Sequence, residues 1–201
     1  AMKNNPSDEV KNCLEKIDES SEHLLSLIND VLDLTRVESG KVKYNPVPTD
    51  LKSITDSALD ITKGFLTNRD ISFKIQREEA KIPNVLVDPV RLRDVLVNIL
   101  SNAVKFTDAG GEVAVRVCCE ADEDDARKVV MRVTDTGIGI PAERAATIFQ
   151  RFGKVDDFAQ GTGLGLTLCK ILVERMGGHI RVYSKENEGT TFYFTFPLAN
   201  Q

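Results

Sequence analysis

The sequence predicts an α+β fold: a two-layer α/β sandwich with a long helix at its N-terminal end. Three observations predict it. Two pairs of strand-like segments, 112–134 and 179–197, are each joined by a short turn-forming stretch. The helix-like segments fall where they can gather on one side of a sheet. Residues 7–38 contain neither Pro nor Gly and carry a coiled-coil-like spacing. Length and composition agree: 201 residues, 41% hydrophobic, suit one medium domain with a helical appendage and are too apolar for a disordered chain.

The elements follow in chain order. Ser7 offers a capping oxygen, and Asp8 and Glu9 put acids in the first turn of a helix expected over Ser7–Glu38. Val10, Leu14, Ile17, Leu24, Ile28 and Val31 recur at spacings of four and three, with Ser21 and Thr35 interrupting. Leu25, Leu32 and Leu34 widen this seam, which predicts a helical bundle. The alternative is an amphipathic helix packed on its own domain, although so long a helix would overhang it. Ser39-Gly40 should end the helix. Lys41–Asp50, with two prolines, reads as a linker running into a strand, so residues 1–43 and 44–201 form the two expected units. Asp50 caps a helix over Leu51–Leu66. Short strands follow at Ile71–Ile75 and Asn84–Val87. Pro89 sits in the first turn of a helix reaching Phe106. Beyond a turn at Asp108–Gly111, strands Glu112–Cys119 and Lys128–Thr134 flank an acidic hairpin loop. A short helix (Ala142–Phe149), a polar loop (Arg151–Thr162) and a helix (Gly163–Met176) precede two last strands, His179–Ser184 and Thr190–Pro197.

Composition excludes several functions. Net charge is −5, from 26 basic and 31 acidic residues, which argues against a nucleic-acid partner. Cys13, Cys118, Cys119 and Cys169 form no Cys-x-x-Cys pair and have no His at zinc spacing, so they read as reduced thiols. No apolar run approaches the ~20 residues that span a bilayer, and no signal peptide opens the chain. The expected compartment is the cytoplasm, whether or not a longer parent is membrane-anchored. The opening Ala-Met-Lys-Asn-Asn-Pro reads as cut, so a fragment is expected.

Three glycine clusters carry the chemistry: Asp135-Thr136-Gly137-Ile138-Gly139-Ile140-Pro141, Gly161-Thr162-Gly163-Leu164-Gly165-Leu166 and Glu188-Gly189-Thr190-Thr191-Phe192. A dinucleotide fingerprint needs strand, Gly-x-Gly-x-x-Gly, then helix. Here the second cluster follows a polar loop and Pro141 closes the first. No Gly-x-x-x-x-Gly-Lys-Ser/Thr occurs, which excludes a P-loop. Asp135 ends an apolar strand. A carboxylate accepts hydrogen bonds only, and adenine offers an amine where guanine offers a carbonyl, so Asp135 at a pocket floor favours adenine. Alternatively it is a strand-end turn residue. Gly137 and Gly139 would let backbone pass close to a flat base. Gly161, Gly163 and Gly165 open a helix whose free N–H groups attract phosphate, or serve as a hinge, or both. On the helix Pro89–Phe106, Asn98 and Asn102 share a face. One Asn carbonyl with phosphate oxygens suffices for Mg2+, which keeps several waters. Lys105 can reach a phosphate as a point charge. The plainer reading of the two Asn is a pair of helix amides satisfied by backbone and water.

The ordered set is more specific than any part: Asn98-Ile99-Leu100-Ser101-Asn102-Ala103-Val104-Lys105-Phe106-Thr107, then Asp135–Pro141, then Phe149-Gln150-Arg151-Phe152, then Gly161–Leu166. It closely resembles the catalytic domain of sensor histidine kinases, whose fold is shared with type II topoisomerase ATPases, the mismatch-repair ATPase and the ninety-kilodalton heat-shock chaperone. The resemblance covers about Asn45–Leu198. It implies an Mg-ATP-dependent protein-histidine kinase, with Asn102 on magnesium and Asp135 on the adenine amine. It implies that Gly137, Gly139, Ile140, Gly161, Thr162, Gly163, Leu164 and Gly165 line the pocket and lid. Phe149 and Phe152 would anchor the lid, Asn98 and Lys105 would lie by the phosphates as catalytic residues, and Thr191 would approach the adenine. The loop from Phe152 to Gly161 is shorter than in many relatives, which implies a smaller lid. Ser21–Leu34 through Lys41 resembles the second helix of the family's dimerisation and phosphotransfer domain.

The family's phosphoacceptor lies on the first helix, in a motif of the type Ser-His-Glu-Leu-Arg-Thr-Pro, which this sequence lacks. His23 stands one residue off the seam and is followed by Leu24 and Leu25, with no acid after it, and His179 opens a strand. Neither is expected to accept phosphate. The expected partners are therefore the missing helix with its histidine, a response-regulator receiver domain and, weakly, a second copy. An ATP hydrolase of the same fold is the alternative, but those relatives carry a Glu where Asn98 stands, and an amide cannot act as a general base. A non-catalytic dimerisation module would not need the intact motif set.

Overall fold

The computed structural model describes residues 8–40, 42–64, 70–77, 82–121, 127–153 and 162–199. Helix α1 runs Asp8–Glu38, β1 Val47–Thr49, α2 Leu51–Lys63, β2 Ser72–Arg77, β3 Val85–Val87 and α3 Pro89–Phe106. Strands β4 (Glu112–Ala121) and β5 (Arg127–Asp135) follow, then α4 (Ala142–Ala145), α5 (Gly165–Arg175), β6 (His179–Lys185) and β7 (Gly189–Phe196). Five strands form one sheet in the order β2-β4-β5-β7-β6, and β1 pairs with β3 in a small second sheet.

Both expected hairpins form, and β5 pairs antiparallel with β7 to join them into one sheet. The parallel pairing of β2 with β4 was not expected from the sequence. It follows from α3, which carries the chain across the sheet between these strands. Strand alternation sends Val113, Val115 and Val117, then Val129, Met131 and Val133, then Phe192, Phe194 and Phe196 to one face. There they meet Leu92, Val95, Leu96, Ile99 and Leu100 of α3 and Leu172 and Val173 of α5 in one core. Each such side chain contributes about 1.5–3 kcal/mol on burial.

Local chemistry explains where the predicted bounds shift. Gly163 has φ +70 and cannot be helical, so α5 begins at Gly165. The helix expected over Ala142–Phe149 reaches only Ala145. Beyond it Thr147 N–H bonds Arg144 O and Gln150 N–H bonds Thr147 O, the tighter i→i+3 pattern. Asp50 caps α2 through Lys52 N–H as expected. The helix-start role given to Ser7 falls outside the described residues. The four cysteines are thiols, and burial pushes that of Cys169 up to about 12, which makes it a poor nucleophile. No helix among the described residues is long and apolar enough to cross a membrane.

α1 combines both readings of its sequence. Val10, Leu14, Ile17, Leu24, Ile28 and Val31 are exposed, with Leu25 and Leu32 beside them. Leu34 and Val37 are buried, and Val37 belongs to the main core. The last turns of the helix therefore dock on the sandwich while the seam stays uncovered.

Asp88 is a joint that the sequence reading missed. Its Oδ1 accepts from Val90 N–H (3.0 Å) and Arg91 N–H (3.2 Å), capping α3, and its Oδ2 accepts from Asn45 N–H (3.0 Å). One buried carboxylate thus ties the linker to the helix that carries the candidate site. We expect Asp88→Ala to lower stability by about 1–3 kcal/mol, and Asp88→Asn by less. Urea unfolding followed by circular dichroism measures both, and an unchanged midpoint for Asp88→Ala would refute the assignment.

Candidate functional site

Asp135 is the last residue of β5 and is 6% exposed. Its Oδ1 accepts from Gly137 N–H (3.0 Å) and Thr190 N–H (3.2 Å). Among the described residues no donor reaches Oδ2, which is the oxygen left for a ligand. Burial pushes its carboxyl above the usual carboxylate range, and the two N–H groups only partly offset this.

The loop after Asp135 is seated on neighbouring backbone. A Cβ at Gly137 would stand 2.3 Å from the Phe106 carbonyl oxygen, and that same oxygen accepts from Ile138 N–H at 3.1 Å. Gly139 lies equally close to the Lys185 carbonyl. The glycines expected to clear a flat base are thus required first by protein backbone. Ile140 is buried in the core, and its N–H donates to Ser184 Oγ at 2.8 Å.

Asn98 and Asn102 share a half-buried face of α3, as expected, and interact directly: Asn102 Nδ2 donates to Asn98 Oδ1 at 3.1 Å. That bond turns the Asn102 amide nitrogen toward Asn98 and leaves its oxygen available to a cation. A Cβ at Gly165 would stand 2.6 Å from Asn98 Nδ2, so the first turn of α5 rests on Asn98. Lys105 Nζ lies 5.2 Å from the centroid of the Phe106 ring. In that first turn of α5, Thr167 Oγ1 is buried and finds no hydrogen-bond partner among the described residues. An accepting Asp135 oxygen, an Asn102 carbonyl oxygen with no hydrogen bond among the described residues and a spare hydroxyl at a helix start fit an adenine nucleotide with a divalent cation on its phosphates.

The lid residues divide. Phe149 packs edge-on against Phe192, ring centroids 6.3 Å apart. The Phe152 ring is 65% exposed, so it is no side-chain anchor. Its backbone serves instead, because Gly163 lies within 2.8 Å of Phe152 Cα when given a Cβ. The two ends of the loop therefore meet. Gly161 and the loop 154–160 fall outside the described residues. Leu164 is buried. Thr162 Oγ1 accepts from Leu164 N–H (3.2 Å) and donates to Asp30 Oδ2 of α1 (2.5 Å), a contact the sequence reading did not foresee.

The structure corrects Thr191. Asp135 pairs directly with Thr190, and Thr134 with Thr191. Directly opposed residues share a sheet face, so Thr190 stands beside Asp135. Thr191 lies on the opposite face, where its hydroxyl is 3.0 Å from that of Thr134. Ser184 was also missed. An isolated Ser in a strand gives no sequence signal.

An α+β sandwich with this acid, amide pair and glycine order defines a nucleotide-site protein of the ATPase type. The model of the "Histidine kinase-, DNA gyrase B-, and HSP90-like ATPase" family matches residues 87–200, and that of the "His Kinase A (phospho-acceptor) domain" matches residues 1–40. The chain belongs to the histidine kinase-, gyrase B- and HSP90-like ATPase family. It is 39% identical over 189 residues to the circadian input-output histidine kinase CikA of Synechococcus elongatus, covering 92% of this chain and 24% of that protein. It is 33% identical over 189 residues to the signal transduction histidine-protein kinase BarA of Escherichia coli, covering 92% of this chain and 20% of that one. The chain thus spans about a quarter or less of these relatives. The crystal structure of full-length ShkA in complex with AMPPNP matches with a TM-score of 0.78 and 30% identity, over 98% of this chain and 40% of that one.

The raised Asp135 carboxyl fixes a sign. Burial penalises the charged form, so this residue favours folding while protonated. That stability is lost as pH rises from the ordinary value of 3.8 through the raised one. Asp135→Asn keeps an acceptor for both N–H groups and removes the charge. We expect the nucleotide-free variant to melt above the parent at pH 7, with the gap closing toward pH 3.8. Thermal melts of both proteins across this range check it; a variant that melts lower at pH 7 would be the contrary result.

Proposed function

We propose that this chain is the ATP-binding catalytic segment of a sensor histidine kinase, joined to the second helix of its dimerisation and phosphotransfer domain. Residues 1–43 form the helical unit and 44–201 the catalytic unit. The observation that carries this reading is the buried Asp135, with one oxygen held by backbone and the other unclaimed, on a loop seated on the helix that bears Asn98 and Asn102. Asp135 reads the adenine amine. Asn102 would hold Mg2+ through its carbonyl oxygen, and the cation would screen the phosphate charges. Lys105 and the first turn of α5 orient the phosphates. Rate acceleration then comes from positioning and charge stabilisation, since phosphoryl transfer asks little covalent chemistry of the protein. The amide of Asn98 offers no base to activate water, which supports transfer over hydrolysis.

The acceptor histidine belongs to a helix outside these residues, which packs on the exposed seam Val10–Val31. A second copy covers the same seam weakly, and a receiver domain takes the phosphoryl group onward. The AMPPNP bound in the ShkA structure supports the nucleotide assignment, and the names of CikA and BarA support the kinase assignment.

Calorimetry should show magnesium-dependent binding of ATP and ADP in preference to GTP. Asp135→Asn should weaken ATP binding by about 1.5–3 kcal/mol, the range for a charge-assisted hydrogen bond. Asn102→Ala should remove most of the magnesium dependence. Equal ATP and GTP affinities in the parent would overturn the adenine assignment.

Incubation with γ-labelled ATP should leave this chain unlabelled, because transfer needs an acceptor nitrogen within ~3–3.5 Å of the γ-phosphorus. Adding the missing helix with its histidine, in cis or as a separate segment, should produce acid-labile label. Label on His23 of the chain alone would show that α1 is the acceptor helix.

A further inference from the structure

The helix-packed core occupies one face of the five-stranded sheet. On the opposite face a single row of side chains crosses all five strands. Gln76 of β2 stands opposite Arg116 of β4, Arg116 opposite Arg132 of β5, Arg132 opposite Tyr193 of β7, and Tyr193 opposite Arg181 of β6. Like charges set directly opposite, as Arg116 and Arg132 are, destabilise a sheet unless anions sit beside them. One anion comes from within the chain. Glu120 accepts from Arg132 Nη2 through Oε1 and from Tyr193 Oη through Oε2 at 3.2 Å, and Cys118 Sγ donates to it at 3.4 Å. Arg132 Cζ also lies over the Tyr193 ring, 5.4 Å from its centroid. These contacts hold the centre of the row in place. Arg116 and Arg181, on either side of that centre, are exposed and have no ion pair among the described residues. Tyr183 next to them is 58% exposed and meets the Tyr193 ring edge-on at 6.4 Å.

Arg and Tyr are the residues enriched where proteins meet proteins, while Lys and Glu are depleted there. Their concentration on one face also runs against the net charge of −5 of the chain. We propose that this sheet face docks a partner protein through a short acidic segment, whose carboxylates take Arg116 and Arg181 as Glu120 takes Arg132. A guanidinium fork matches a carboxylate, and Arg132 already shows the pairing. Neighbouring strands stand ~4.8 Å apart, so three strand steps hold the backbones of Arg116 and Arg181 roughly 14 Å apart. A few extended residues span that distance. The small extent of the row favours such a segment over a long polyanion. A nucleic acid or an anionic membrane would continue past it onto a surface of net negative charge. Strand alternation puts Asp135 on the other face of β5 from Arg132, so docking here leaves the nucleotide-binding face open.

The test titrates a fluorescently labelled deca-glutamate peptide with the whole chain at low ionic strength and follows anisotropy. The proteins are the parent, the Arg116→Gln/Arg181→Gln double variant, and a charge-matched Lys52→Gln/Lys63→Gln double variant on α2. We expect the parent to bind deca-glutamate and not deca-glutamine. The arginine variant should bind it about tenfold more weakly, and the lysine variant within about twofold of the parent. ATP affinity, read by calorimetry, should be the same in all three. Since Arg116 opposes another cation, the arginine variant should melt no lower than the parent in the absence of ligand. Unchanged peptide affinity in the arginine variant overturns the proposal, as does equal weakening in both variants, which is an effect of net charge alone. A melt several degrees lower for the arginine variant makes these side chains structural and overturns it too. Tighter binding of deca-thymidylate or of phosphatidylserine vesicles than of the peptide, lost in the arginine variant, overturns it in favour of a nucleic acid or a membrane. Self-association in sedimentation that the arginine variant abolishes overturns it in favour of a second copy of the chain.

Discussion

The site depends on two close approaches to α3. At its C-terminal end the Phe106 carbonyl leaves no room for a side chain at Gly137 and accepts from Ile138 N–H. In its middle, the Asn98 side-chain amide lies against Gly165, 2.6 Å from where a Cβ there would stand. The loop after Asp135 and the start of α5 are therefore both indexed to one rigid element. α3 can serve as that reference because its opposite side is locked in the core by Leu92, Leu96, Ile99 and Ala103 and its start is capped by Asp88. A methyl group at Gly137 would push its loop off the Phe106 backbone, whereas one at Gly165 would displace the Asn98 amide.

That rigidity tolerates a local cost. A carboxylate held at 6% exposure is disfavoured, and the shift of Asp135 above its ordinary range is that cost expressed as proton affinity. Two backbone N–H groups on one oxygen offset part of it. A third donor on Oδ2 would stabilise the empty fold further and would compete with any ligand amine. The incomplete satisfaction of Asp135 is thus what suits it to the recognition role proposed for it, while the sheet around it carries the stability. Phe194 and Phe196, stacked in parallel beneath the helices, are fully buried on the strand whose start supplies Thr190.

Much of this was legible in the sequence, and the failures have definite causes. α3 was bounded to the residue, because Pro at its start and a periodic apolar face leave little latitude. The pairing Asn98–Asn102 followed from helical spacing. Thr191 was misplaced because a motif gives position along the chain and not strand face. A one-residue step reverses the face, and the register that decides it is set by pairing with β5. Gly137 was read as clearance for a flat base and Gly165 as a phosphate-attracting helix start or hinge, since a sequence cannot show that Phe106 and Asn98 stand beside them. Asp88, Ser184 and Asp30 reach partners 43, 44 and 132 positions away, which no local pattern encodes; only the cap that Asp88 places on α3 was open to a local reading.

The position of α1 reconciles the two readings of that helix. Asp30, which accepts from Thr162, and the buried Leu34 and Val37 recur at spacings of four and three and share one face. At 100° per residue that face lies roughly 120° around the helix from the seam of Leu24, Ile28 and Val31. Packing on one side therefore does not use up the other. A helix that covers the seam leaves Leu34 and Val37 in the core and Asp30 on Thr162. Thr162 in turn holds Leu164 N–H just before α5 begins, and the next residue rests on Asn98. A rotation of α1 large enough to bring the docking face into a bundle would have to break the Thr162 contact and expose two core side chains together. The exposed seam and the sandwich are thus joined through one continuous chain of contacts, α1 to Thr162 to α5 to Asn98. The small end of α1 that is buried holds the long exposed part at a fixed rotation.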